Sequence, residues 1–345
     1  MIRISIDFLI LVMAILLIIL ICFGIYISIK RAMEVYQQRL RRMYIESKQK
    51  DWYHYLIQEA EFNSELIPKN KYEIQGLEEI FLVYLKNLSN LTIQEKIKQF
   101  SNQYLQKHYQ KLLKSRKWSI KVNAMYRIID FQIVSLVEEC EKLEKKKLTK
   151  EENFQLLKMN SIFSTDAFIN KIVNLSSTLS EYEYKKLLIG VHSETLKSLI
   201  NCLDELPMPC QYSIIDTLGM NRDINDLPFL ESLLQHENCE VRIRSLKAIH
   251  EIGVIIEQEK YLPFVVSEIW EERLMIAKIL GNLPLAYSYP YLQILLNDES
   301  WWVRSQAAKA ISNMKSGKEK LQEFIETASD RYAIDMANEY LKKGL

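Results

Sequence analysis

Glycine and proline are scarce in this chain, at 8 and 7 of 345 residues, and neither Asn-Gly nor Asp-Gly occurs. Tight turns between strands lean on those residues, so their shortage argues against a β-rich fold and for a helical one. Cysteine is also sparse. Cys22, Cys140, Cys202, Cys210 and Cys239 make an odd number with no C-x-x-C pair. That is no disulfide framework, and it suits a reducing compartment. An excess of one charge is missing too, with 45 basic against 44 acidic residues, which argues against general nucleic-acid binding. The chain has no G-x-x-x-x-G-K-[ST], G-x-G-x-x-G or G-x-S-x-G, so phosphate cradles and nucleophile elbows have no support.

What is present begins with an apolar run. Phe8 to Ile29 are 22 consecutive uncharged residues, roughly 33 Å of helix at 1.5 Å per residue, enough to cross a hydrocarbon core. A signal-peptide core is shorter and ends at small residues; here Lys30, Arg31, Ala32 and Met33 follow. Residues 1–29 are therefore expected to be an uncleaved transmembrane anchor, with the membrane engaged through residues 8–29. Only Arg3 precedes the run, whereas Lys30, Arg31, Arg39, Arg41, Arg42, Lys48 and Lys50 follow it. The positive-inside rule then places the N-terminus outside and residues 30–345 in the cytoplasm.

Residues 30–66 lack proline and glycine, so the span is expected to continue outward as one helix. Residues 30–71 read as a basic juxtamembrane helix or stalk. Met33, Tyr36, Leu40, Met43 and Tyr44 form one apolar stripe on it. A basic helix of this kind either leads into a stalk or lies against anionic lipid through Lys30, Arg31, Arg39, Arg41 and Arg42. From residue 72 onward helix starts are readable. Thr92-x-x-Glu95, Thr149-x-x-Glu152 and Ser180-x-x-Glu183 fit capping boxes, and Gly190, Gly219, Gly253 and Gly281 suit C-terminal caps. The polar run Lys142–Glu152 reads as a loop or a solvated helix end.

The strongest internal signal is a repeat. Arg242, Arg273 and Arg304 are 31 residues apart, and Lys247, Lys278 and Lys309 follow at the same interval. Leu246, Ala277 and Ala308 precede the lysines, and Ile249, Leu280 and Ile311 come two or so positions after them. One period earlier stand Gln211, Ile215 and Leu218. A fixed period of this size marks stacked units that cannot bury their apolar faces alone. Residues 233–253 and 295–314 resemble bacterial HEAT repeats, in which a turn with Asp precedes Val-Arg and small residues opening a second helix. Asp298, Val303, Arg304, Ala307 and Ala308 match that pattern, while Glu272 replaces the valine in the middle unit. First helices are expected near 227–235, 261–269 and 289–296, opening at Leu-Pro, Leu-Pro and Tyr-Pro. The segment around Asp330, Arg331, Ala333 and Ala337 resembles a terminal cap.

The fold expected is all-α: a transmembrane helix followed by a HEAT-like α-solenoid of stacked helical hairpins. Residues 72–190 are read as divergent helical repeats, with a second helix suggested by Trp118, Ala124, Ile128 and Ile129. Residues 191–345 are read as HEAT repeats with a C-terminal cap. The resemblance implies a protein-binding scaffold at the inner membrane face, not an enzyme and without a cofactor. It also implies a membrane-associated protein partner, such as the glycosyltransferases with which single-pass HEAT proteins are sometimes paired. The arginine ladder is expected to pair with acidic or carbonyl groups between repeats, and the lysines to be solvated. Trp270, Trp301 and Trp302 occupy matching inter-helix turns and are the expected partner surface. His236-Glu237 and His250-Glu251 lie at non-equivalent points, and His54, His108 and His192 are isolated, so no metal site is expected. The alternatives are a HEAT-like lyase with a site on the concave face, or an anionic-lipid-binding module.

Overall fold

A computed structural model describes residues 6–58, 60–88, 90–145, 148–175 and 179–343. Arg3, used above for orientation, and Lys146 and Lys147 of the polar run lie outside the described residues. Among the described residues stand eighteen α-helices and no strand. The chain divides into two compact units, Met1–Leu156 and Leu157–Leu345.

Helix α1 runs unbroken from Ile6 to Ile57, 52 residues, or about 78 Å. Its apolar N-terminal half stands exposed and is long and apolar enough to cross a membrane. The helix stops at Ile57 rather than continuing to 66, and a 3₁₀ turn at Ser64–Leu66 follows, capped by the Asn63 side chain. Packing explains the stop. Tyr44, Trp52 and Leu56 are buried, and the Trp52 ring meets Phe81 and Phe100 edge-on at 4.9 and 5.0 Å. Trp52 Nε1 donates to Tyr44 Oη at 3.3 Å, and Tyr44 Oη donates to the Leu66 carbonyl at 3.2 Å. These bonds fold the chain beyond Ile57 back onto α1. Burial raises the Tyr44 phenol to about 12, so it remains a donor across physiological pH.

Helix α2 (Lys71–Asn87) lies along α1. Gly76 permits this approach: a Cβ there would stand 2.8 Å from Tyr44 Cδ1 and 3.2 Å from the Arg41 carbonyl. Helix α3 (Leu91–Phe100) begins at an Asn90 cap that takes the Thr92 and Ile93 N–H groups, so Thr92 is inside the first turn and not the cap. Asn90 wins because its short amide reaches two orphan donors at once. A π-helical turn at Ser101–Leu105 leads into α4 (Gln106–Leu113), followed by α5 (Trp118–Asp130), α6 (Val137–Glu141) and α7 (Lys150–Phe163). The Thr149–Glu152 capping box forms in both directions. Ala124 and Ile128 of α5 are buried, whereas Trp118 stays half exposed and donates to Thr149 Oγ1 at 2.9 Å.

The second unit carries α8 (Thr165–Val173), α9 (Glu181–Leu188), α10 (Ser193–Asn201), α11 (Met208–Asn221), α12 (Leu227–Ser232), α13 (Cys239–Ile252), α14 (Trp270–Leu280), α15 (Leu285–Leu296), α16 (Trp301–Asn313), α17 (Gly317–Thr327) and α18 (Arg331–Lys343). Helices α11, α13, α14, α16 and α18 are the second helices, and each packs on the next. The first helix at 227–235 forms as α12 plus a 3₁₀ turn at Leu233–Gln235. Its successor is a 3₁₀ segment, Gln258–Val266, with Pro263 inside it, where the missing N–H removes a ladder donor. The next begins at Leu285, behind Pro284, rather than at Tyr289-Pro290, and Pro290 lies inside it. Ala333 and Ala337 of α18 are fully buried, as a terminal repeat requires.

The glycines part ways. Gly190 and Gly253 adopt φ +77°, the left-handed geometry of a helix end. Gly219 is no cap: it sits inside α11, and Arg222 takes the left-handed C-cap instead. Its Cβ would stand 2.8 Å from Ala248 Cα on α13. Gly281 closes α14 in right-handed geometry, where a Cβ would meet Ala310 Cβ at 3.2 Å on α16. Both glycines are contact points between successive second helices, 62 residues apart, or two periods. Gly219→Ala is therefore expected to lower unfolding stability by about 1–3 kcal/mol through forced displacement of α13. Gly24→Ala, which meets nothing within 4 Å, serves as the silent control in urea denaturation of the detergent-solubilised chain.

Candidate interaction surface

The period of 31 residues reappears in the hydrogen bonds of both units. In the first, Tyr109 Oη donates to Glu78 at 2.7 Å, Asn102 donates to the Gln132 carbonyl at 2.9 Å, and Lys121 pairs with Glu152. In the second, Lys158 Nζ donates to the Leu187 carbonyl at 3.0 Å and also to the Ile189 carbonyl. Further along, Ser213 donates to the Glu181 carbonyl at 3.2 Å and Tyr289 to the Lys320 carbonyl at 3.1 Å. Each bond joins a residue to the one about a repeat away. Burial lowers the Lys158 amine to about 8, while the carbonyl ends of α9 hold it in place, as cations at a helix C-terminus do.

The repeated arginines share one job. Arg242 Nη1 donates to the His236 and Glu237 carbonyls at 2.8 and 3.0 Å, Arg273 Nη1 to the Ser267 carbonyl at 2.7 Å, and Arg304 Nη1 to the Asp298 and Glu299 carbonyls at 2.6 and 3.1 Å. Every guanidinium thus closes the turn that precedes its own helix. Two also reach forward. Arg242 Nε pairs with Glu272 at 2.7 Å, and Arg273 Nε and Nη2 grip Asp298 at 2.5 and 3.0 Å, a bidentate geometry. Glu272, the departure from the repeat pattern, is buried because it accepts from both Arg242 and the Ser267 hydroxyl. Among the described residues Arg304 pairs with no carboxylate, and its Nε has no hydrogen-bond partner; its guanidinium stands 5.5 Å over the Tyr332 ring.

Trp270, Trp301 and Trp302 are not in the turns but open the second helices α14 and α16. They are exposed by 37, 49 and 60%. The Trp301 and Trp302 rings meet edge to face with centroids 4.8 Å apart. Tyr332, exposed by 70%, stands at the matching place on α18. Trp270, Trp301 and Tyr332 are one period apart in succession, so consecutive repeats present an aromatic at the same end. Tyr332 was missed from the sequence because the segment around it reads as a cap, although counting 31 residues on from Trp301 reaches it.

Polar groups of the first unit's cleft, and His236 and His250, engage neighbouring side chains or the backbone. A cleft of about 420 Å³ in the first unit is lined by Glu78, His108, Tyr109 and Arg127 among others. Glu78 takes the Tyr109 hydroxyl and lies 3.5 Å from Arg127. Burial raises the Tyr109 phenol well above its ordinary value and lowers the His108 imidazole. His236 Nδ1 accepts from the Asn238 N–H at 3.0 Å, and His250 faces Asn282. Among the described residues no group of three His, Cys, Asp or Glu could hold a metal. On α1, Arg41 pairs with Glu79 at 3.3 Å, whereas Lys30, Arg31, Arg39 and Arg42 are exposed.

Residues 262–342 match the family model described as HEAT repeats, repeats that generally mediate protein–protein interaction. No curated protein matches the chain. Among solved structures, the crystal structure of one engineered protein is 15% identical, covering 89% of this chain and 98% of that one with a TM-score of 0.35. Another engineered protein is 18% identical, covering 69% and 96% with a TM-score of 0.25. The match and the helical architecture together make this an all-α chain with a HEAT-type stack, preceded by a long apolar helix.

Removing the arginines one at a time is expected to give graded losses of stability in chemical denaturation. Arg273→Met strands the buried Asp298 carboxylate and costs about 3–5 kcal/mol. Arg304→Met forfeits bonds to carbonyls and the contact over the Tyr332 ring but strands no carboxylate, and costs about 1–2 kcal/mol. An equal loss at both positions would contradict this division of roles.

Proposed function

We propose that this chain is a membrane-tethered docking module that holds a membrane-associated protein at the inner face of the membrane. The observation that carries this reading is the row of exposed aromatics, Trp270, Trp301, Trp302 and Tyr332, at one end of successive second helices. Large rigid side chains bury much area at little entropic cost, which is why they dominate binding hot spots. Each of the four keeps more than a third of its surface exposed.

The anchor supplies the second half of the mechanism. A span at 8–29 confines the repeats to two dimensions and raises the effective concentration of any partner in the same membrane. The exposed Lys30, Arg31, Arg39 and Arg42 sit where a lipid headgroup layer would begin, each worth about 1 kcal/mol against anionic lipid. They support orientation with residues 30–345 inside. We assign residues 72–190 to the same architecture as divergent repeats, on the strength of the bonds spaced by one period. A membrane enzyme such as a glycosyltransferase fits the partner class.

Two measurements test this. Affinity capture from membranes with the full chain is expected to recover a specific partner, and Trp301→Ala with Trp302→Ala to reduce its yield at least tenfold with an unchanged melting temperature. Capture that ignores the double variant removes the aromatic surface. Protease added to spheroplasts is expected to leave residues 50–345 intact; digestion there overturns the orientation.

A further inference from the structure

The lysines of the repeat do more than sit in solvent. Lys247, Lys278 and Lys309 occupy equivalent places on α13, α14 and α16, which pack in succession. Lys247 and Lys309 are exposed and Lys278 is half-buried between them. None of the three makes an ion pair among the described residues. The acids on this face are committed or distant. Glu240 is held by Arg244 at 2.6 Å and Glu251 by Arg222 at 3.0 Å, and Glu271 lies two turns nearer the N-terminus of α14. Further back, Arg244 is itself neutralised by Glu181 and Asp216, at 2.8 and 2.7 Å. Positive charge is therefore balanced around α9 and α11, whereas the three lysines from α13 to α16 make no direct ion pair among the described residues and only Lys278 has an acid, Glu251, acting on it. Burial, and then the Lys247 and Lys309 ammonium groups on either side, lower the Lys278 amine, and the Glu251 carboxylate offsets this in part. The row is close enough to repel itself.

We infer that the row formed by Lys247, Lys278 and Lys309 docks an extended acidic segment of a partner protein, lying across α13, α14 and α16. Packed helices stand about 8–10 Å apart, and an extended chain advances about 3.3 Å per residue. One lysine per helix thus matches one carboxylate at about every third residue. Trp302 lies seven residues before Lys309, two turns along the same face of α16, so one ligand can engage both. The inference rests on the docking role proposed above and names the chemistry of its partner.

The test uses the full chain in zwitterionic nanodiscs and a fluorescent nonapeptide with Glu at positions 1, 4 and 7 among Ser and Gly. Anisotropy is expected to report binding that weakens at least tenfold in Lys247→Glu/Lys309→Glu and several-fold when the three Glu are contiguous. Because both lysines are exposed, the double variant is expected to keep the parent melting temperature. Lys278→Gln, with no reversed charge, is a second variant and should weaken binding by a smaller factor. Failure of the peptide to bind, equal binding by the variants, or equal binding of the contiguous peptide overturns the inference. So does retention of anionic vesicles by the row in place of the peptide. If the peptide fails while Trp301- and Trp302-dependent capture persists, only this inference falls; if both fail, the docking role falls with it.

Discussion

A pair of short helices cannot bury its own apolar face, and nearly everything in the second unit answers to that limit. Val303, Ala307, Ala308 and Ile311 of α16 are fully buried only because α14, α15, α17 and α18 cover them. Small residues at the crossings set how closely the second helices approach, with Gly219 against Ala248 and Gly281 against Ala310. Larger side chains there would pry the stack apart and expose the same faces that stacking hides.

Polar groups then fix the register that apolar contact leaves loose. Each ladder arginine ties its own turn through carbonyl oxygens, and where an acid is at hand it also ties the next repeat. The middle repeat shows how a departure is absorbed. A buried Glu272 in place of valine would be costly alone, yet Arg242 and Ser267 satisfy it, so the repeat gains an ion pair where its neighbour has a hydrocarbon contact. In the first unit a different device serves the same end: Tyr44, Trp52 and Leu56 turn the far half of α1 into a helix of the core. The apolar run and the core of the first unit thereby share one continuous helix.

The stack leaves a repeated pattern on its exposed surface. Partly exposed aromatics at the helix starts and lysines about two turns along both recur with the period of the fold. Repetition converts a single residue type into a row, with spacing set by helix packing rather than by any local motif.

The sequence alone determined the elements whose signals are local or periodic. The long apolar helix, the all-α fold, the 31-residue period, the capping boxes at Thr149 and Ser180, and the glycine caps at 190 and 253 were all legible, because each depends on neighbours within a turn or on an interval that can be counted. Only tertiary structure decided where α1 ends, that Asn90 and not Thr92 caps α3, that Gly219 is a crossing point and not a cap, and that Arg304 lacks the carboxylate its two counterparts hold. It also decided that Tyr332 joins the tryptophans and that the repeated lysines make no direct ion pair among the described residues. These outcomes turn on which groups from other repeats arrive within a few ångströms, and spacing along a chain carries no record of which side chain is already engaged.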